Sequence, residues 1–222
     1  MTVYTLRKTQ SIELDRLIEK NVPVIIIKNF LQQKICKKII DYCINVSKNN
    51  PHRKISKEGD FYSVDVYPQN VITQRLFRKY MLGNNFLNKF KMINQVIDFQ
   101  YKKILKPKKK IRPEIQVVHY PRGGGYFDEH KHERYPSNYG IIITLSKKGR
   151  DFDQGVTSIK YNNKYINLEK NNITCGDLIL FRFDLPHKIT PVDPDRYLSF
   201  DEKGRWTLIL NIAPKHLSLS SY

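Results

Sequence analysis

The spacing of apolar and polar residues changes character once along the chain. Up to about residue 112 it is mostly helical. Ile12, Leu14, Leu17 and Ile18 predict a helix over residues 11–20. Ile35, Ile39, Ile40, Cys43 and Ile44 predict another over residues 32–48. Between them VPVIIIKNFL, residues 22–31, is rich in β-branched side chains and predicts a buried strand. Residues 49–59 are polar, carry Pro51 and Gly59, and predict a loop. A short strand follows over 61–67, then a mostly helical stretch over 73–105 broken near Gly83, Asn84 and Asn85.

From Pro113 onward the pattern is one of short strands separated by turn residues. They fall at 114–120, 140–146, 156–161, 164–167, 177–183, 187–192 and 206–212. Regular punctuation of this kind points to a sandwich, barrel or jelly roll. The chain therefore reads as an α+β protein. Residues 1–112 form a mostly helical support with one core strand, 113–214 a β core and 215–222 a tail. No flexible linker divides them, so one domain is expected.

Composition narrows the class. The 222 residues are 40% hydrophobic, with 11 Phe and 14 Tyr, which supports a real core and excludes a disordered chain. No apolar run approaches the roughly 18 residues of a membrane span, and the N-terminus lacks a signal-peptide apolar region. Cys36, Cys43 and Cys175 form no CxxC pair, which points to a reducing, cytoplasmic setting, with Cys175 acting as a small buried hydrophobe. The net charge of +18 invites a nucleic-acid reading. It comes from 27 Lys scattered among 26 Ile and 17 Asn, residues that AT-rich codons favour. The densest run, 106–110, reads as a solvated linker, so a nucleic-acid partner is not favoured.

The chemistry concentrates in QVVHYPRGGGYFDEHKH, residues 116–132. Gly123, Gly124 and Gly125 let the backbone turn tightly and approach a bound group. If residues 127–132 are extended, Asp128, His130 and His132 share one face, and Glu129, Lys131 and Glu133 the other. Two histidines two apart on a strand can reach one metal ion, although imidazole does not name the metal. A third, His187, follows the apolar strand 178–183 and Pro186. Arg205 and Thr207 then share a face of the last strand, where a planar guanidinium beside a hydroxyl suits a carboxylate. Gln116 and Tyr120 share a strand face that lines either this pocket or ordinary core. His119 points away from that face. His119, His52 and His216 read as structural or exposed.

In order and separation these motifs resemble the iron(II)- and 2-oxoglutarate-dependent dioxygenases, the superfamily of prolyl hydroxylases and phytanoyl-CoA hydroxylase. The resemblance covers residues 114–214 and extends weakly to VPVIIIKNFL. It is carried by Tyr120-Pro121 with the three glycines, His130, Gly176-Asp177, Pro186-His187, and Arg205 with Thr207. The stretch 144–159 also looks like the family's Leu-Ser to Gly-Thr hairpin. The resemblance implies a double-stranded β-helix, a jelly-roll and cupin-like core. It implies Fe(II) held by His130 and His187, and 2-oxoglutarate clamped by Arg205 and Thr207. With dioxygen, such a site hydroxylates an unactivated C–H bond; desaturation and cyclisation are variants.

The family's second ligand is a carboxylate, and His132 stands there. Three readings follow: a site of His130, His132 and His187; a carboxylate supplied by Asp128 or Glu133; or a degenerate site in a jelly-roll binding protein for a polyanion or nucleic acid. Halogenases of the family have Gly or Ala at this position, so a histidine disfavours halogenation. Substrate-facing segments are expected at 49–59, 134–139 and 193–203. They and their surroundings carry Arg53, Arg134, Tyr135, Arg150 and Arg196, which suit a small acidic or zwitterionic substrate such as an amino acid or its derivative.

Overall fold

The structure is a computed structural model that describes residues 3–7, 9–49, 61–67, 75–100, 111–132 and 138–214. Its strands are β1 (Val3–Arg7), β2 (Val24–Lys28), β3 (Phe61–Tyr67), β4 (Arg75–Leu82), β5 (Ile111–Tyr120) and β6 (Gly125–His130). They continue with β7 (Tyr139–Thr144), β8 (Thr157–Tyr161), β9 (Lys164–Asn167), β10 (Leu178–Arg182), β11 (His187–Val192) and β12 (Arg205–Pro214). The helices are α1 (Ser11–Glu19), α2 (Gln33–Asn49), α3 (Asn84–Lys89) and α4 (Met92–Gln100). The strands join in the order β1-β2-β10-β7-β12-β5-β4-β6-β11-β8-β9, with β3 paired to β4. Among the described residues no helix is long and apolar enough to cross a membrane.

The sheet has two very different faces, and β12 shows why. Trp206, Leu208 and Leu210 pack with Leu14, Leu17, Ile39, Ile40, Phe86 and Ile93 of the four helices. The alternate positions Arg205, Thr207 and Ile209 face the other way. There Ile209 joins Phe77, Val118, Tyr120, Phe152, Ile189 and Val192, from strands on both sides of the curl. The period of two thus sends every second side chain to the helices and the rest to the concave interior. Strands β2 and β10 are buried on both faces, so they read as continuous apolar runs. Asp177, fully buried, anchors this region by accepting from the backbone N–H of Asn29 and Thr174 and from the Lys28 ammonium.

The jelly-roll-like curled sheet agrees with the expected β core, but the helix-rich N-terminal half does not hold. That half contributes β1 to β4 to the sheet. The predicted helix over 73–105 is interrupted from the start by β4. The buried positions of β4, Phe77, Tyr80 and Leu82, are spaced three and two apart, which imitates a helical stripe. Pairing with β3 on one side and β5 on the other decides the matter. Helices appear only after Gly83, and residues 73–74 and 101–105 lie outside the described residues. Strand β1 pairs in parallel with β2 and was not anticipated. Nor do residues 144–159 form a hairpin: β7 pairs with β10 and β12, whereas β8 pairs with β9 and β11. The loop 49–59 and the lysine run 106–110 lie outside the described residues, except for Asn49, which ends α2.

His119 sits on the helix-facing side of β5. Its ring stacks on Trp206 at 3.9 Å and 7°, and Trp206 stacks in turn on Tyr80. Its Nε2–H donates to the Lys203 carbonyl at 2.7 Å. Burial lowers its pKa to about 3, helped by the Arg78 charge and opposed by that hydrogen bond. The folded value lies below the usual 6.5, so the unfolded chain binds the extra proton between these pH values. The contribution is complete above pH 6.5 and is lost as pH falls toward 3. We expect His119→Gln to reduce the acid-side slope of unfolding free energy by up to about 1.4 kcal/mol per pH unit. Urea titrations at several pH values measure it, and an unchanged slope would contradict the buried neutral state.

Candidate metal centre

Strands β6 and β11 run antiparallel, with His130 opposite His187 but Phe127 opposite Ile189. Two steps along β11 therefore match three along β6. The extra residue is a β-bulge, a device that re-aims side chains next to functional sites. It overturns the simple alternation expected from the sequence. His130 shares its face with Phe127, not with Asp128, and the two rings stack at 3.7 Å. Asp128 is exposed and contributes its backbone carbonyl instead.

The strand ends at His130, so the pleat does not place His132. Its backbone N–H donates to the Phe183 carbonyl at 2.9 Å. This tie brings its ring to 5.0 Å from His130 and 5.2 Å from His187, while those two lie 4.2 Å apart. One nitrogen from each of the three rings can be chosen so that all lie within 4.8 Å of one another. Glu133, the other carboxylate considered, lies outside the described residues.

Hydrogen bonds fix which nitrogens are available. The Nδ1–H of His130 donates to the Asp128 carbonyl at 2.8 Å, and that of His187 to the Leu185 carbonyl at 2.9 Å. Each bond assigns the proton to Nδ1 and leaves the Nε2 lone pair for a metal. Burial, with a smaller contribution from the neighbouring imidazoles, lowers His130 to about 4 and His187 to about 3. Desolvation also lowers His132, which is exposed at its edge but packed against its two partners and Phe183. All three are thus neutral near pH 7, the form a metal requires.

Arg205 and Thr207 are buried, each 3% exposed, on the concave face. Arg205 lies opposite Tyr120 on β5, Thr207 opposite Val118 and Ile209 opposite Gln116. Tyr120 is buried against Phe77, and its phenol is pushed up by burial against the opposing pull of Arg205 and Arg75. Gln116 is half-buried on the same face. The carboxylate that meets Arg205 here belongs to the chain itself: its guanidinium donates to Glu169 and to the Thr157 hydroxyl. Glu169 escaped the sequence reading, because a lone acid in the polar turn NLEKNN shows no sign of a partner on a distant strand.

The glycine run also differs from expectation. A Cβ on Gly123 would meet the Leu198 backbone at 2.4 Å, and one on Gly125 would meet Pro121. These glycines admit the chain's own segments. Arg150 pairs with Asp151, and exposed Arg196 lies 3.7 Å from Asp153, so neither is directed by its partner toward the histidines. Arg53, Arg134, Tyr135, His52 and His216 lie outside the described residues. Arg75 was not anticipated: its guanidinium lies 5.6 Å from the centres of both the Phe77 and Phe127 rings.

No family model matches this sequence, and no curated protein matches it. Solved structures do. A prolyl-4-hydroxylase from Pseudomonas putida matches with a TM-score of 0.61 and 12% identity, covering 91% of this chain and 99% of that one. A prolyl hydroxylase from Trichoplax adhaerens, in complex with a hypoxia inducible factor peptide fragment, matches at 0.53 and 15%, covering 91% of each chain. A 2OG-Fe(II) oxygenase family oxidoreductase from Burkholderia pseudomallei matches at 0.54 and 8%, covering 96% of each. The fold is therefore the one these oxygenases share.

The three-imidazole arrangement has a direct test that does not depend on catalysis. His132→Ala is expected to weaken Co(II) or Fe(II) binding by about 100-fold or more, since even removing an outer-shell partner costs 10- to 100-fold. Asp128→Ala should change it less than about threefold, because its backbone carbonyl remains. Calorimetric titration measures both, and the opposite ranking would place a carboxylate on the metal.

Proposed function

We propose that the protein is a non-haem iron(II), 2-oxoglutarate-dependent oxygenase that hydroxylates an unactivated C–H bond of a small acidic or zwitterionic molecule. The observation that carries this is the convergence of three neutral imidazoles inside a sheet whose fold is that of 2OG-Fe(II) oxygenases. His130, His132 and His187 would hold Fe(II). When bound with 2-oxoglutarate and dioxygen, iron supplies the oxidising power for C–H hydroxylation. The residues around it hold, orient and exclude water.

Three neutral ligands leave the full dipositive charge on the metal, one unit more than a site with a carboxylate. That favours anionic co-ligands, such as the carboxylate of a 2-oxo acid. Arg205 and Thr207 are suited to its far end. The Arg205 Nε and the Thr207 hydroxyl are buried polar atoms with no hydrogen-bond partner, a costly state that a bound oxygen would relieve. Arg205 contacts Thr157, which lies two residues along β8 from Ile159, the residue opposite His187. Two strand residues span about 7 Å, a length suited to a five-carbon 2-oxo acid. Gln116 and Tyr120 belong to the wall of the same pocket.

The substrate class rests on Arg75. Phe127 stacks on His130 and lies beneath the Arg75 guanidinium, so a cation stands beside the histidines. Its charge also lowers the pKa of His130. An acidic or zwitterionic molecule would be drawn to that edge.

Anaerobic addition of 2-oxoglutarate to the Fe(II)-loaded protein should produce a weak visible charge-transfer band, and air should release succinate. Thr207→Val should weaken 2-oxoglutarate about fivefold, the worth of one neutral hydrogen bond, with Fe(II) affinity unchanged. Absence of iron uptake, with salt-sensitive nucleic-acid binding instead, would favour a non-catalytic jelly roll. In a panel of small acids, amino acids and neutral analogues, the charged compounds should raise succinate release. Arg75→Leu should diminish that stimulation by about tenfold, as expected for loss of a charge-assisted contact. Stimulation by neutral compounds alone would remove the substrate assignment.

A further inference from the structure

The concave pocket contains an anion supplied by its own chain. Glu169 stands at the start of a single 3₁₀ turn, Leu168–Asn171, whose first free N–H is capped by Asn167. One carboxylate oxygen accepts from the Arg205 guanidinium, and the other accepts from the Thr157 backbone N–H at 3.0 Å. The side chains of Arg205 and Glu169 are 4% and 10% exposed. The pair therefore lies out of water, where its two charges cancel at short range.

Arg205 is nevertheless only partly used. Its second terminal nitrogen bonds the Thr157 hydroxyl, its plane stands over the Phe152 ring at 5.5 Å, and its Nε has no partner. The Thr207 hydroxyl on the same strand face is likewise orphaned. A ligand oxygen can take either donor. If that oxygen belongs to a carboxylate, it meets a guanidinium already neutralised and a second carboxylate on the same cation.

We infer that Glu169 determines cosubstrate specificity: by occupying Arg205 it removes most of the advantage that a dicarboxylate 2-oxo acid would have over a monocarboxylate one. This rests on the oxygenase reading above. In that reading the keto acid end binds at the histidines, and the far end reaches Arg205 and Thr207. Glu169 touches the clamp and not the metal, so it acts on selectivity without altering iron binding.

The test compares 2-oxoglutarate with 2-oxopentanoate, which has the same chain length but ends in a methyl group. Both are titrated anaerobically into Fe(II)-loaded wild-type and Glu169→Gln protein, with affinity read from the charge-transfer band. The wild type should bind the two within about tenfold of each other. A site whose arginine were free for the far carboxylate would separate them by on the order of 100-fold or more. Glu169→Gln should tighten 2-oxoglutarate by about tenfold or more, change 2-oxopentanoate less than threefold and leave Fe(II) affinity unchanged. A wild type that prefers 2-oxoglutarate 100-fold, or a variant that binds it no more tightly, overturns the inference while leaving the oxygenase reading standing. Failure of both acids to bind both iron-loaded proteins removes the oxygenase reading and this inference with it. Should the loss of the buried pair prevent Glu169→Gln from folding, the wild-type ratio decides alone.

Discussion

A sheet this curled has to satisfy opposite demands on its two faces. The outer face needs apolar side chains to bury the helices, and the inner face has to carry polar side chains out of water. Strict alternation along β5 and β12 meets both at once. Ile115, Val117 and His119 alternate with Gln116, Val118 and Tyr120 on one strand. Trp206, Leu208 and Leu210 alternate with Arg205, Thr207 and Ile209 on its partner. A slip of one residue between these strands and their neighbours would turn Arg205 into the helical core and Trp206 into the pocket. Everything described about the interior depends on that register.

The elements legible in the sequence were those with local signals. Helices α1 and α2 carry apolar stripes, from which only Ile12 of α1 is left exposed, β2 is a β-branched apolar run, and β10 is a continuous apolar run that reads as a buried strand. Strands β8 and β9 are punctuated by Asn162 and Asn163, whose backbone has positive φ. Strand β4 failed because its burial depends on pairing with two distant strands, and RLFRKYML alone does not disclose that. The same limit applied at the site. His130, His132 and His187 announced themselves through their neighbours. The bulge that aims His130, the carbonyl that holds His132 and the Glu169 that meets Arg205 are long-range facts. They arise from register and topology and leave little mark on adjacent residues.

The electrostatics of the interior differ from those of the whole chain. The sequence carries a formal +18, yet among the described residues much of the charge on the concave face is paired or absent. The three imidazoles are neutral, and Arg205 is matched by Glu169. Arg75 adds a cation at the histidine edge. Overall charge therefore says little about what enters the pocket. Local pairing sets the chemistry, and the basic exterior governs solubility and long-range encounters.

The pairing of His130 with His187 also has a consequence in time. These residues lie on strands that are neighbours in the sheet but far apart in the chain, and the last strand, β12, completes the floor beneath them. During synthesis the helices and β2 can begin to form while β10, β11 and β12 are still unmade. Contacts of such long sequence separation form slowly, since the intervening chain has to be ordered first. In the oxygenase reading proposed above, a metal ion would therefore meet all three imidazoles only near the end of folding. Loading would thereby be coupled to a finished sheet, and partly folded chains would be left with scattered histidines.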